Sequence, residues 1–140
     1  VQSVFFPGQE RTSYVWGMIK MDKAPILSRQ KEPHDFTLMF DPVLNEKEAT
    51  SHAKDGSLVI FNTTQKINTG RFKKRKIKAF ALDATGIGIS TANKLAPGMA
   101  MLGALTKLFG KISMKAVKAA DPKENAAVVE EGYKNMKQVK

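Results

Sequence analysis

Short apolar runs closed by turn residues occupy the first part of the chain, and helix-spaced apolar positions occupy the rest. Tyr14–Met21 is rich in aromatic and β-branched residues and runs into Asp22-Lys-Ala-Pro25, a turn composition. It predicts a strand, with Ile26–Ser28 paired beside it. Val1–Gly8 reads as a strand leaving into a loop. Phe36–Phe40, held between Pro33 and Asp41-Pro42, has the length and bounds of a buried strand. A helix follows, capped by Asn45, with Glu46 and Glu48 at its positive end and Asp55-Gly56 closing it. Ser57–Asn62 and Ala79–Asp83 are further buried strands, separated by the polar connector Thr63–Gly70 and the basic run Arg71–Lys78. Helices over Ala84–Lys94, Met99–Phe109, Ser113–Ala120 and Pro122–Lys137 finish the chain. Gly110 marks a stop, Ser113 a cap, and Asp121-Pro122 a cap with proline at the first helical position. In the last helix Val129, Tyr133 and Met136 define an apolar face, and Glu130 and Lys134 an outward i,i+4 pair.

Strands that alternate with helices build βαβ units and a parallel sheet. The expected fold is therefore α/β, a three-layer α/β/α arrangement with a mainly parallel sheet and a helical C-terminus, in a single domain over residues 1–140. No stretch approaches the roughly 20 apolar residues of a membrane span. No charged segment leading into an apolar one opens the chain, and the expected location is cytoplasmic.

Charge and cysteine narrow the chemistry. Lys and Arg number 23 against 13 Asp and Glu, a net charge of +10, which favours acidic partners such as nucleic acid, ferredoxins or acidic subunits. Cysteine is absent, so this chain forms no disulfide, offers no thiolate nucleophile and cannot ligate an iron–sulfur cluster. His34 and His52 stand 18 residues apart without the carboxylate spacing of a metal site or a catalytic triad. They are expected on a loop and on an exposed helix face.

Three segments carry candidate chemistry. Asp83-Ala-Thr-Gly-Ile-Gly88 sits where a strand hands over to a helix, the place where open α/β sheets bind ligands. Position 91 is Thr, so the dinucleotide fingerprint is incomplete, and close helix–strand packing is the better explanation of Gly86 and Gly88. Six of the eight residues Arg71–Lys78 are basic, and Phe72 lies among them. Phosphate contacts with a stacking ring would make a small basic nucleic-acid-binding protein, although no companion nucleic-acid motif is present. Gly8, Glu10 and Arg11 form a glycine-opened charged loop ahead of a strand, where Arg11 can clamp a phosphate or carboxylate.

An ordered series of motifs then spans almost the whole chain. Gln2-Ser3 with Phe5-Phe-Pro-Gly-Gln-Glu-Arg11, Asp22-Lys-Ala-Pro-Ile26, Arg29-Gln-Lys-Glu-Pro33 and Phe40-Asp-Pro-Val-Leu44 are followed by Leu58-Val-Ile-Phe-Asn-Thr63, Asp83-Ala-Thr85 and Met101-Leu-Gly-Ala-Leu105, with Glu124-Asn-Ala and Glu131-Gly-Tyr133 closing. The series resembles the gamma subunit of 2-oxoacid:ferredoxin oxidoreductases of the pyruvate type. That resemblance implies a non-catalytic-alone subunit of a complex that oxidatively decarboxylates a 2-oxoacid to acyl-CoA while reducing ferredoxin. It implies alpha, beta and delta type partner subunits that hold thiamine diphosphate, magnesium and the iron–sulfur clusters, with coenzyme A as co-substrate. It also implies that Gly8, Glu10 and Arg11 face the coenzyme A side or a neighbouring subunit. Two departures stand out. The family's Gly-Pro-Glu-Arg is here Gly8-Gln-Glu-Arg11, followed by Thr12-Ser13 where the family has Gly. Its opening strand and glycine-rich turn have no counterpart, so the domain is expected to be N-terminally incomplete, with Phe36–Phe40 and Ala79–Leu82 bordering an unpaired edge.

Overall fold

A computed structural model describes residues 2–6, 16–27, 30, 32–41, 46–120 and 125–140. They fall into two compact units, Val1–Glu32 and Pro33–Lys140.

The first unit is built on an antiparallel pair. Strand β1 (Gln2–Phe6) runs against β2 (Trp16–Lys20), from Gln2 opposite Lys20 to Phe6 opposite Trp16. The partner of β2 is thus the segment read as a strand exit, and Ile26 and Leu27 lie in no strand. The turn after β2 is held by the Asp22 carboxylate, which accepts from the Ala24 N–H at 3.0 Å.

The second unit is the α/β body. Its elements are β3 (His34–Met39), α1 (Glu46–Thr50), β4 (Ala53–Asn62), α2 (Gly70–Lys74), β5 (Lys78–Leu82), α3 (Ala84–Ala92), α4 (Pro97–Phe109), α5 (Met114–Ala120), α6 (Ala126–Asn135) and β6 (Lys137–Gln138). The sheet order is β3-β4-β5-β6, with β3, β4 and β5 parallel and β6 antiparallel to β5. Alternation along β4 assigns the two faces. Val59 and Phe61 join Met39, Ala49, Phe72 and Ala79 in a core under α1 and α2, where the Phe61 and Phe72 rings meet edge-on at 5.8 Å. Ile60 joins Phe80, Leu82, Ala84, Ala100, Met101 and Val128 under α3, α4 and α6. The three-layer reading holds, with two short helices on one face and the longer ones on the other.

Several boundaries moved, each for a local reason. Asp55-Gly56 does not end a helix, because β4 already starts at Ala53. Gly56 instead takes φ +79° inside the strand, where its N–H donates to the Arg75 carbonyl at 3.0 Å. There β4 bulges, with His34 opposite Ala53 and Phe36 already opposite Leu58. His34 opens β3, its ring Nε2 2.8 Å from Thr37 Oγ1, and His52 lies in the turn after α1, half-buried. The final helix ends at Asn135; Met136 turns extended (φ −64°, ψ 129°) and the chain adds β6, which short-range periodicity did not signal. That strand covers β5, so Ala79–Leu82 has a strand on either side; among the described residues the edges of this sheet are β3 and the two-residue β6. Asn45, Asp121 and Pro122 lie outside the described residues.

Candidate functional site

The three parallel strands deliver their C-terminal ends to one edge of the sheet, and the turns that leave them are cross-linked. Asn62, the last residue of β4 and 1% exposed, is the hub. Its Nδ2 donates to the Phe40 carbonyl beyond β3 at 2.8 Å and to Thr85 Oγ1 at 2.9 Å, while its Oδ1 accepts from the Thr85 N–H at 3.2 Å. Thr63 N–H donates to the Leu82 carbonyl at 2.9 Å. One amide therefore ties the ends of β3 and β4 to the first turn of α3, using both of its polar atoms on protein groups. It is left no role in proton transfer.

Around the hub, Asp83 caps α3, accepting from the Gly86 N–H at 2.7 Å. A Cβ at Gly86 would fall 2.2 Å from that carboxylate, and one at Gly88 would fall 2.9 Å from the Ala96 nitrogen and 3.0 Å from the Lys94 carbonyl. Both glycines are thus explained by a cap and by a close chain approach. A phosphate at this helix start would meet a carboxylate already seated there. Phe40 (48% exposed) and Asp41 leave this edge toward solvent.

The other sequence-flagged residues are dispersed. Gly8, Glu10 and Arg11 lie outside the described residues. The basic run Arg71–Lys78 forms most of α2, a turn at Lys76 (φ 55°) and the start of β5, with its lysines and Arg71 exposed and its two apolar residues buried. Phe72 is 1% and Ile77 5% exposed, so the ring that was to stack on a base belongs to the core. Arg75 turns inward: Nε donates to Asp55 at 2.7 Å, Nη1 to the Thr50 carbonyl at 2.6 Å and Nη2 to the Ala53 carbonyl, fastening the end of α1 and the start of β4. These placements remove the nucleic-acid reading of the run. Among the described residues no group of three His, Asp or Glu side chains converges for a metal ion. With no cysteine, the chain offers no thiolate to an iron–sulfur cluster.

The second organised region is the crossing of α4 and α6. Gly103 faces the Val129 carbonyl and Gly132 faces Ala100, each so closely that an added Cβ would sit 2.0 Å from a backbone oxygen. Val128 and Val129 are fully buried beside them, whereas Tyr133 is 39% exposed. The apolar face of α6 therefore runs through Gly132, not through Tyr133. Glu130 pairs with Lys118 of α5 instead of Lys134, and Lys134 takes Glu131 at 3.1 Å. The Lys118 hydrogen bond, aided by its charge, holds Glu130 below the ordinary glutamate range. Hydrogen bonds from Lys134 and Asn135 do the same for Glu131. Asn62 with Thr85, and Gly103 with Gly132, each lie in motifs that sequence reading had singled out; nothing in the sequence said that they meet.

The model of the pyruvate ferredoxin/flavodoxin oxidoreductase family matches residues 1–136. The chain belongs to that family. Among curated relatives of this family member, the common subunit gamma of the pyruvate/ketoisovalerate oxidoreductases of Thermococcus kodakarensis is 30% identical over 120 residues, covering 83% of this chain and 65% of the relative. The pyruvate synthase subunit PorC of Methanothermobacter thermautotrophicus is 27% identical over 112 residues, covering 79% and 59%. The family chain thus spans less than two thirds of the length of these relatives. A crystal structure of the pyruvate oxidoreductase subunit PorC from Thermotoga maritima superposes with a TM-score of 0.73 over 99% of this chain and 81% of that one, at 20% identity. That likeness carries the fold. No helix among the described residues is long and apolar enough to cross a membrane.

Proposed function

We infer that the chain serves as a gamma-type subunit of a 2-oxoacid:ferredoxin oxidoreductase, pyruvate being the first substrate to test, and that it turns over nothing by itself. The family match across residues 1–136 carries this reading. The hub at Asn62 supports it, because it spends its amide on holding strand ends in place. In the complex, a 2-oxoacid loses carbon dioxide, its acyl group passes to the coenzyme A sulfur, and the released electron pair reduces ferredoxin. The iron–sulfur clusters belong to partner subunits, since this chain has no cysteine to offer a cluster, and thiamine diphosphate and magnesium are assigned with them to the alpha, beta and delta type partners. Gly8, Glu10 and Arg11 are assigned to the coenzyme A side or to a subunit contact, with Arg11 as the anion clamp.

Affinity purification of the tagged chain from its native cells tests the assignment. Larger subunits with iron–sulfur absorbance should co-purify, and the eluate should reduce ferredoxin only with both a 2-oxoacid and coenzyme A. Turnover by the isolated chain, or an eluate without such partners, overturns it. Within an active complex, Arg11→Ala should raise the KM for coenzyme A about tenfold or more, the loss of one charge-assisted contact.

A further inference from the structure

From Pro97 to Ala120 the chain carries Lys107, Lys111, Lys115 and Lys118 and neither Asp nor Glu, a local charge of +4 within the total of +10. The fold wraps this stretch from the end of α4, round Gly110 (φ +65°), into α5, where it borders a groove of about 450 Å³ whose other wall is α6. Ile112, Met114 and Tyr133 supply apolar surface to the groove, and Lys107, Lys118 and Lys134 supply charge. Lys118 and Lys134 are engaged by Glu130 and Glu131. Among the described residues no carboxylate pairs with Lys107, Lys111 or Lys115. Lys107 Nζ instead lies 5.5 Å from the Tyr133 ring centre, and Lys111 Nζ 5.9 Å from that of Phe109.

Cations with no counter-ion among the described residues, beside an apolar surface, fit a polyanion that brings apolar groups of its own. The four cations of the stretch are all Lys, strung along the chain with no Arg among them, whereas tight phosphate recognition draws on the bidentate guanidinium. The apolar lining of the groove is mainly aliphatic, from Ile112 and Met114, with Tyr133 its single ring, whereas stacked bases draw on a series of aromatic platforms. We propose that this groove docks an acidic polypeptide segment with interspersed apolar residues, presented by another protein. Opposite charge speeds the encounter and orients it, while Ile112, Met114 and Tyr133 receive the apolar side chains. The proposal does not depend on the subunit assignment.

The test uses the whole chain and a fluorescein-labelled peptide of alternating Glu and Leu, followed by anisotropy at low and physiological salt. The variant K107Q/K111Q/K115Q should bind about tenfold more weakly, the summed effect of three exposed charge contacts. The charge-matched variant K66Q/K73Q/K78Q, altered at exposed positions near α2 and β5, should stay within about twofold. Lys115→Glu alone, which touches no ring, should weaken binding about threefold, and circular dichroism should show all three variants folded. Equal losses in the two triple variants would reduce the effect to net charge and overturn the proposal. So would an absence of peptide binding, or tighter binding at the groove of pyrophosphate or of single-stranded DNA.

Discussion

Replacing Gly132 by Ala adds one carbon at the α4–α6 crossing. That Cβ would lie 2.0 Å from the Ala100 carbonyl oxygen, 2.6 Å from its carbon and 2.7 Å from its Cα. An ordinary contact needs roughly 3.4 Å, and all three obstacles are backbone, so no side chain can swing aside. The helices must part by more than an ångström or shift along each other. Opening a packed interface by 0.5–1 Å already forfeits about a quarter to a half of each dispersion well along it. Overpacking of this kind costs about 1–3 kcal/mol, and a rigid obstacle puts it at the upper end. Alanine's better helix propensity returns about 1 kcal/mol, leaving a net loss of about 2 kcal/mol. For a chain of this size that corresponds to a fall of roughly 6–10 °C in melting temperature. Gly98→Ala is the control, because in the same α4 its added Cβ meets nothing within 4 Å. It should be neutral or stabilising by a few tenths of a kcal/mol. Urea titrations followed by circular dichroism read both. In the pair Gly103→Ala with Gly132→Ala, the second substitution should cost less than it does alone, since the first has already separated the helices. A Gly132→Ala protein as stable as the parent would refute the reasoning.

Asn62→Leu keeps the volume but leaves the Phe40 carbonyl and the Thr85 N–H without their partner in a partly buried place, an expected loss of about 1–2 kcal/mol in urea titrations; a loss below about 0.5 kcal/mol would show that the hub is not what ties the turns. Arg75→Lys retains the charge and loses the fork that reaches Thr50, Ala53 and Asp55, and should cost about 1–2 kcal/mol, with hydrogen exchange quickening first at α1 and the start of β4. Glu130 and Glu131 are held below the ordinary glutamate value of 4.5, so the native state binds fewer protons there than the unfolded chain. Their stabilisation is complete above pH 4.5 and is lost as pH falls through the lowered values. The urea midpoint should therefore decline below about pH 4.5, less steeply in Glu130→Gln and in high salt; an identical decline in Glu130→Gln would remove the pair from the account.

Periodicity and punctuation were enough for the α/β class, the parallel strands Phe36–Phe40, Ser57–Asn62 and Ala79–Asp83, and the helices over Ala84–Lys94, Met99–Phe109 and Ser113–Ala120; α2, inside the basic run, was not among them. Each of these depends on burial patterns and caps that act within a few residues, such as Ser113 Oγ accepting from the Ala116 N–H at 3.1 Å and Gly110 at φ +65°. The motif order, with no knowledge of contacts, was likewise sufficient to point to the family. What sequence could not decide is where distant residues meet. Phe72 reads as an exposed ring in a basic run, yet tertiary packing buries it against Phe61, because α2 must cover one face of the sheet. Asp55-Gly56 reads as a helix stop until the bulge opposite Asp35 and the Arg75 fork make it part of β4. Lys137–Gln138 has no strand signal of its own and is extended because β5 offers it an open side. Gly103 and Gly132 look like two unrelated helix glycines, and only the crossing of α4 on α6 shows that Gly103 makes room for the backbone of α6 at Val129 and Gly132 for that of α4 at Ala100. Local chemistry chose the elements; long-range packing, which no window of residues contains, chose their partners.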